Sequence, residues 1–483
     1  MIRFRDRLIF TLLLFLSISA SGASRLNFIV ILVDDMGWMD LSCQGSDFYQ
    51  TPHVDRLAAE GMRFTNAYAA CAVCSPTRAA IQTGRYPGRI GVTDWIRSRF
   101  QRGGIGTPEQ NPVDYVGGKN RRFLCPPNPF WMEHEELTIA EVLKNHGYQS
   151  AHIGKWHLGD VAWYPTGQGY DANFGGCDYG QPPSYFDPFR QPNHKHEMIR
   201  NGIPFLPGKE EGQYLTDREA DEAVSFIRKW KNQPFFLHLA HYAVHTPIQA
   251  EESATAKYRQ DGKTESNAKY AAMVESVDRS TGRILETLDE LGISDRTVIL
   301  FTSDNGGLDR KGSPTDNAPL RSGKGFAYEG GIRVPFIVRW PNVVPSNQIS
   351  NAPVCSIDVL PTLLSAGGVA IPSDRPIDGV NLVPHLRSGG REPLAYRPLI
   401  WHFPHYRHDP GPYSIIRRGN WKFIKFYDGE NELYHLGDDI GEQRNLAAER
   451  PVLVASLESA LMGELVRMDA RIPRLNPDFQ AKP

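Results

Sequence analysis

Two apolar, β-branched runs set the pattern of the chain: residues 27–33 (Asn-Phe-Ile-Val-Ile-Leu-Val) and 297–302. Neither alternates with polar residues, so each reads as a strand buried on both faces, as in a largely parallel α/β sheet. Each run ends in oxygen-bearing side chains, Asp34-Asp35 after the first and Ser303-Asp304-Asn305-Gly306 after the second. Apolar segments at 149–153, 235–240 and 336–340 predict further strands. Thr51-Pro52 opens a helix that Gly61 ends, and 62–70 then reads as extended. Thr138-Ile139-Ala140-Glu141 and Thr216-Asp217-Arg218-Glu219 have the form of capping boxes, and a long helix covers 268–291. After a Pro-, Gly- and charge-rich stretch at 384–397, segments 413–417, 421–427 and 432–435 alternate like antiparallel strands around an Asp428-Gly429 turn. A terminal helix covers 450–468.

This order predicts an α/β protein: a large mixed sheet sandwiched by helices, with a smaller C-terminal antiparallel sheet. The expected division is residues 24–390 for the main domain and 391–483 for the second, and 483 residues supply ample core. Residues 1–23 read as a signal peptide: Arg3, Arg5 and Arg7, then an apolar run from 8 to 20, then Ser21-Gly22-Ala23. The chain is therefore expected to be exported, periplasmic or secreted, with no membrane contact beyond that segment. A net charge of −2 and a pI near 6.7 argue against a nucleic-acid partner. The 6 cysteines are too few and too scattered for a disulfide scaffold, although export allows one or two bridges.

Candidate chemistry concentrates at Cys71-Ala72-Val73-Cys74-Ser75-Pro76-Thr77-Arg78. Pro76 suits a first helical turn, and Arg78 lies one turn beyond Cys74, so its guanidinium returns beside position 74. A helix N-terminus favours negative charge, which makes this a nucleophile in an anion-accepting pocket. Adjacent carboxylates at the end of a buried strand need a partner or a cation, and an all-oxygen set suits Ca²⁺ or Mg²⁺ over Zn²⁺. Lys155 and His157 follow the 149–153 strand, and alternate spacing in extended backbone puts both on one face. Arg97, Arg99, Arg102, Lys119, Arg121 and Arg122 lie in a loop-like region and offer a positive rim for an anionic substrate.

Four stretches, Ile31–Gly37, Cys74–Arg78, Gly154–Gly159 and Leu320–Gly325, resemble type I sulfatases of the alkaline phosphatase superfamily, and the likeness runs from residue 27 to about 446. The resemblance implies an alkaline phosphatase-like fold and conversion of Cys74 to formylglycine by a formylglycine-generating enzyme. It implies a cation, Ca²⁺ ahead of Mg²⁺, on Asp34, Asp35, Asp304 and Asn305 with the oxygen at position 74. It implies that Arg78 and Lys155 hold the nucleophile and the sulfate, and that Lys324 and His245 sit at the leaving oxygen, with His245 as the acid. His157 would take a proton from the second hydroxyl of the hydrate and so release sulfate. The expected activity is sulfuric ester hydrolysis on a sulfated carbohydrate and on aryl sulfates. Exo action is the expected mode, and His402, His405 and Arg407 are the candidate sugar contacts. The competing readings are a phosphodiesterase or phosphonate monoester hydrolase of the same superfamily and an inactive glycan-binding relative. The second would have lost some of these residues, all of which are present here.

Overall fold

The computed structural model describes residues 25–102, 108–310 and 312–480; the signal-peptide reading of residues 1–23 lies outside them. Asn27–Val33 lies inside an eight-stranded sheet ordered Gln348–Ser350, Met62–Phe64, Phe336–Arg339, Thr297–Ser303, Asn27–Val33, Phe235–Ala240, Gln149–Gly154, Ala172–Phe174. It pairs in parallel with Phe235–Ala240 and with Thr297–Ser303. Phe336–Arg339 runs antiparallel to both of its neighbours, which makes the sheet mixed.

The unbroken apolar run of the central strand follows from its two packed faces. Ile29, Ile31 and Val33 enter one core with the helices Leu215–Trp230 and Glu265–Glu290. Phe28, Val30 and Leu32 enter another with Cys74–Thr83, Ile139–Lys144 and Val359–Ala366. Successive side chains point to opposite faces, so both sets must be apolar. Each fully buried side chain of this size contributes about 1.5–3 kcal/mol.

Helix starts test the capping expectations. The Thr138–Glu141 box forms as read. The Thr216–Glu219 box does not: the helix begins at Leu215, and Glu219 turns inward to His241 Nδ1 at 2.6 Å. Thr51 makes no cap either. Asp278 of the long helix accepts the His53 and Val54 N–H groups instead, at 2.9 and 2.8 Å.

The C-terminal sheet is a four-stranded antiparallel meander, Leu399–Phe403, Tyr413–Arg418, Trp421–Phe426 and Glu432–His435. With the helix Pro451–Arg467 it forms a third core that also takes in Tyr68, Cys71 and Val73, the segment leading to Cys74. The Trp401 indole N–H donates to the Ala69 carbonyl at 2.7 Å. The small sheet thus backs directly onto the candidate nucleophile. All six cysteines are free thiols, so the allowance for disulfides is not used. Among the described residues, no helix is long and apolar enough to cross a membrane.

Candidate active site

Val33 and Ser303 are in register at the carboxyl ends of neighbouring parallel strands, which brings Asp34-Asp35 against Asp304-Asn305. In open α/β sheets this edge is where ligands bind. Asp35 takes a left-handed backbone, φ 63°. Its N–H donates to Asp304 Oδ1 at 3.2 Å, and Asn305 Nδ2 donates to Asp35 Oδ1 at 2.8 Å. Two more strand ends deliver a lysine and a histidine. Gln149–Gly154 leads into Lys155, and Phe235–Ala240 leads into the turn carrying His245.

Cys74 is the first residue of the wholly buried helix Cys74–Thr83, two places before the proline. Its thiol lies 3.3 Å from His157 Nδ1. His157 Nε2 is 2.8 Å from the Ile96 carbonyl, which can only accept, so the proton of the neutral ring sits on Nε2 and Nδ1 is bare toward position 74. Burial holds the His157 pKa well below its usual value, with Lys155 and Arg78 adding to the effect. Ser75 ties this arrangement together: its hydroxyl donates to the His157 carbonyl at 2.9 Å and accepts the Ile96 N–H at 2.9 Å. Ser75 went unnoticed in the sequence because a serine inside a motif carries no signal of its tertiary partners. The strand ends at Gly154, and His157 has φ 62°, so Lys155 and His157 meet in the site through a turn rather than by strand alternation.

Positive charge encloses the carboxylates. Lys155 Nζ is 2.6 Å from Asp34 Oδ2, and Lys324 Nζ is 2.7 Å from Asp35 Oδ2. Arg78 donates from Nε to Asp304 Oδ2 at 2.8 Å and from Nη1 to the Lys155 carbonyl at 2.6 Å. Burial alone would raise the Asp35 pKa, but Lys324, His245 and Lys155 outweigh it and hold it well below the carboxylate range. Asp304 goes the other way: burial and the neighbouring Asp34 push it up to about 6, against Arg78 and Lys155. His245 Nε2 lies 3.5 Å from Asp35 Oδ2, and its Nδ1 faces the Thr246 carbonyl at 2.9 Å. Burial, then Lys324, brings its pKa down to about 3. Burial also raises the Cys74 thiol, opposed by Lys155 and Lys324.

The oxygens fit a hard cation. Asp34 Oδ1 and Asn305 Oδ1 are buried with no hydrogen-bond partner. An orphaned buried oxygen costs about 1–3 kcal/mol, so two in one cluster argue for a ligand. Asp34, Asp35 and His245 each bring one ligand atom within 4.8 Å of the others. His245 was not among the residues expected at the metal.

A cavity of about 280 Å³ opens onto Cys74, His157, His245, Lys324 and Arg407. Trp95 and Phe100, both part-exposed, also line it. Of the three candidate sugar contacts, only Arg407 lines the cavity. His402 is buried between the Ser414 hydroxyl at 2.7 Å and the Arg471 carbonyl at 3.2 Å. His405 is buried against the Thr93 hydroxyl at 2.8 Å. Both are packing residues of the small sheet. The basic-rim reading also changes. Arg99 faces Asp178 at 3.6 Å and Arg102 faces Asp160 at 3.2 Å, while the residues of that region that reach the cavity are Trp95, Phe100 and Gln101.

Residues 26–369 match the sulfatase family model, and residues 322–470 match the model of the N-sulphoglucosamine sulphohydrolase C-terminal region. The chain belongs to the sulfatase family and is a sulfuric ester hydrolase. It is 32% identical to human (Homo sapiens) N-acetylgalactosamine-6-sulfatase over 95% of this chain and 89% of that protein. It is 31% identical to a sulfatase of Formosa agariphila over 88% of this chain and 85% of that one. The solved structure of Ps i-CgsB with k-i-k-neocarrahexaose superposes with a TM-score of 0.77 at 30% identity, covering 92% of this chain and 93% of that chain.

Proposed function

We propose that this chain is an exported, formylglycine-dependent carbohydrate sulfatase that carries one Ca²⁺. The observation that carries the reading is the setting of position 74, at 3.3 Å from a bare, neutral imidazole nitrogen and inside a ring of lysine and arginine. Burial raises the pKa of an unmodified thiol there and so weakens it as a nucleophile, and the sulfatase motif around Cys74 supports formylglycine at that position, made by a formylglycine-generating enzyme. The orphaned oxygens of Asp34 and Asn305, with Asp35 and Asp304, would hold the cation. Formylglycine and Ca²⁺ together supply the nucleophilic oxygen and the charge that acidifies it.

The remaining work falls to this chain's side chains. Arg78 and Lys155 fix the carboxylates and place positive charge beside the sulfate oxygens. Lys324 and His245 line the cavity where the leaving oxygen departs; His245 is neutral with its proton on the Thr246 carbonyl, so the donor that faces that oxygen is Lys324, which Asp35 keeps protonated against its burial. His157 takes a proton at Nδ1 from the group at position 74, and Ile96 and Ser75 hold its ring. Trp95 and Phe100 offer flat apolar faces to a sugar ring, and Arg407 offers a two-pronged donor to its acidic groups. The N-acetylgalactosamine-6-sulfate named for the human relative and the carrageenan fragment bound to Ps i-CgsB support a sulfated glycan as substrate.

The test is release of inorganic sulfate and of phosphate from matched sugar and aryl esters by protein matured with a formylglycine-generating enzyme. Sulfate release dominant on both ester classes supports the reading. Dominant phosphate release favours the phosphodiesterase or phosphonate hydrolase alternative, and no release from any ester favours the glycan-binding one.

A further inference from the structure

The cavity over Cys74 does not end at its own walls. His245, Lys324 and Arg407 also line a second cavity of about 190 Å³, which continues to Arg310 and His408. Pro183, Gln191 and His194 line both the first cavity and a third of about 510 Å³, which continues to Arg190, Asn193 and Gln249. The second and third cavities share no lining residue, and each adjoins the central cavity along a different part of its wall. A pocket for a terminal sugar needs one exit; two separate arms adjoining the cavity over Cys74 describe an open cleft along which a chain can lie.

Each arm carries an exposed arginine for an anionic chain, Arg310 in the first, with the Asp309 carboxylate beside it, and Arg190 in the other. Arg407 stands where the first arm joins the central cavity. In that arm His408 stacks on Phe326, with ring centroids 4.0 Å apart and planes 7° from parallel, and both rings line its wall. The other arm is polar, with Asn193 and Gln249 as amide hydrogen-bonding groups. Arginine's fork suits sulfate or carboxylate on the flanking units, because it bonds two oxygens at once.

We propose that the enzyme removes sulfate from interior units of an anionic glycan chain, with the Arg310–His408 arm and the Arg190–Asn193 arm binding the units on either side. This rests on the carbohydrate-sulfatase reading above and replaces the exo action favoured by the sequence. It gives Arg310 and Arg190 a part in specificity outside the reacting centre.

The experiment compares hexasaccharides of a 6-sulfated glycosaminoglycan and of a sulfated galactan with their disaccharides and with a small aryl sulfate, locating each lost sulfate by tandem mass spectrometry. Interior sulfate should be lost, with kcat/KM at least about 10-fold higher on a hexasaccharide than on its disaccharide. Arg310→Ala and Arg190→Ala should each lower kcat/KM on the hexasaccharide by about 10- to 100-fold, the scale of one lost charged hydrogen bond, mainly through KM. Both variants should stay within about twofold on the aryl sulfate. Loss confined to the non-reducing end, or arm variants that match the parent enzyme on every substrate, overturns the cleft and leaves the carbohydrate sulfatase standing. Turnover of the aryl sulfate with none of any sulfated sugar overturns both.

Discussion

The Nε2–H of His157 is spent on the Ile96 carbonyl 2.8 Å away, so Nδ1 is the atom turned to position 74. A ring held in that tautomer acts as an acceptor without reorganising, and general-base residues of this kind contribute about 10²–10⁴-fold. His157→Ala should therefore lower kcat on an aryl sulfate by about that factor, while the formylglycine content of the Cys74 peptide, read by mass spectrometry, stays at the parent level. Lost maturation along with lost activity would assign His157 to folding or processing instead. Asp304 tests the cation. Its carboxylate is pushed up to about 6 by burial and Asp34, a repulsion that a bound cation relieves. Asp304→Ala should cost activity and bound Ca²⁺ together, measured by elemental analysis of the same sample; full Ca²⁺ with lost activity would place the metal elsewhere. At this scale the sequence was informative where residues act in a motif, as for Cys74, Arg78 and Lys324. It was silent where partners are distant. Nothing local marks Ser75, Trp95 or Phe100, and the histidine cluster at 402–405 resembled a site because its burial by Ser414, Arg471 and Thr93 is tertiary.

Lys422, on the strand Trp421–Phe426, ties the small sheet to the short helix Glu329–Ile332. Its Nζ lies 2.7 Å from Glu442 Oε1 and 3.1 Å from Glu329 Oε1, all fully buried. Glu329 also takes the Tyr68 hydroxyl at 2.7 Å and Arg333 Nε at 2.9 Å. Near it, Arg321 donates to the Tyr434 hydroxyl and the Glu442 carbonyl at 2.9 and 3.0 Å, and Gly325 N–H donates to the Ala72 carbonyl at 2.8 Å. The small sheet in this way braces the loop that carries Lys324 against the segment that carries Cys74. Removing one member of a buried ionic cluster leaves the others uncompensated, so Lys422→Met should destabilise the fold by about 3–5 kcal/mol in chemical denaturation. A change under about 1 kcal/mol would mean that the cluster is solvated in the native state. Strands of five to seven residues buried on both faces were legible from composition, as Asn27–Val33 and Thr297–Ser303 were. Three-residue strands at the rim, such as Ala172–Phe174 and Gln348–Ser350, are too short to carry a period. The Thr216 capping box misled because Glu219 had a stronger partner in His241.

Across the whole molecule, buried neutral histidines tie stability to pH. Burial lowers His402 to about 4 and His405 to about 3, the latter with help from His402 and Arg97. Both folded values lie below the unfolded value of about 6.5, so the stability tied to the neutral rings is complete above that pH. As pH falls below it, the unfolded chain takes up protons that the folded chain refuses, and stability drops until the folded values are reached, by about 1.4 kcal/mol per pH unit for each ring. Denaturation midpoints measured from pH 7.5 to 4.5 should show this decline, and His405→Asn should flatten it by about one ring's slope. An unchanged slope in the variant would mean that His405 is protonated in the folded protein. The α/β order and the separate C-terminal sheet were readable from the alternation of apolar runs and helical periods. The packing of that sheet onto residues 68–73 was not, because contacts between segments over 300 residues apart leave no local trace.

Turnover depends most on the chemistry of position 74. The direct measurement is turnover of a sulfated sugar against the fraction of formylglycine in the Cys74 peptide, across preparations matured to different extents, with Cys74→Ala as the blank. Activity should rise in proportion to that fraction and vanish in the variant. Undiminished turnover by protein whose Cys74 is an intact thiol would contradict it.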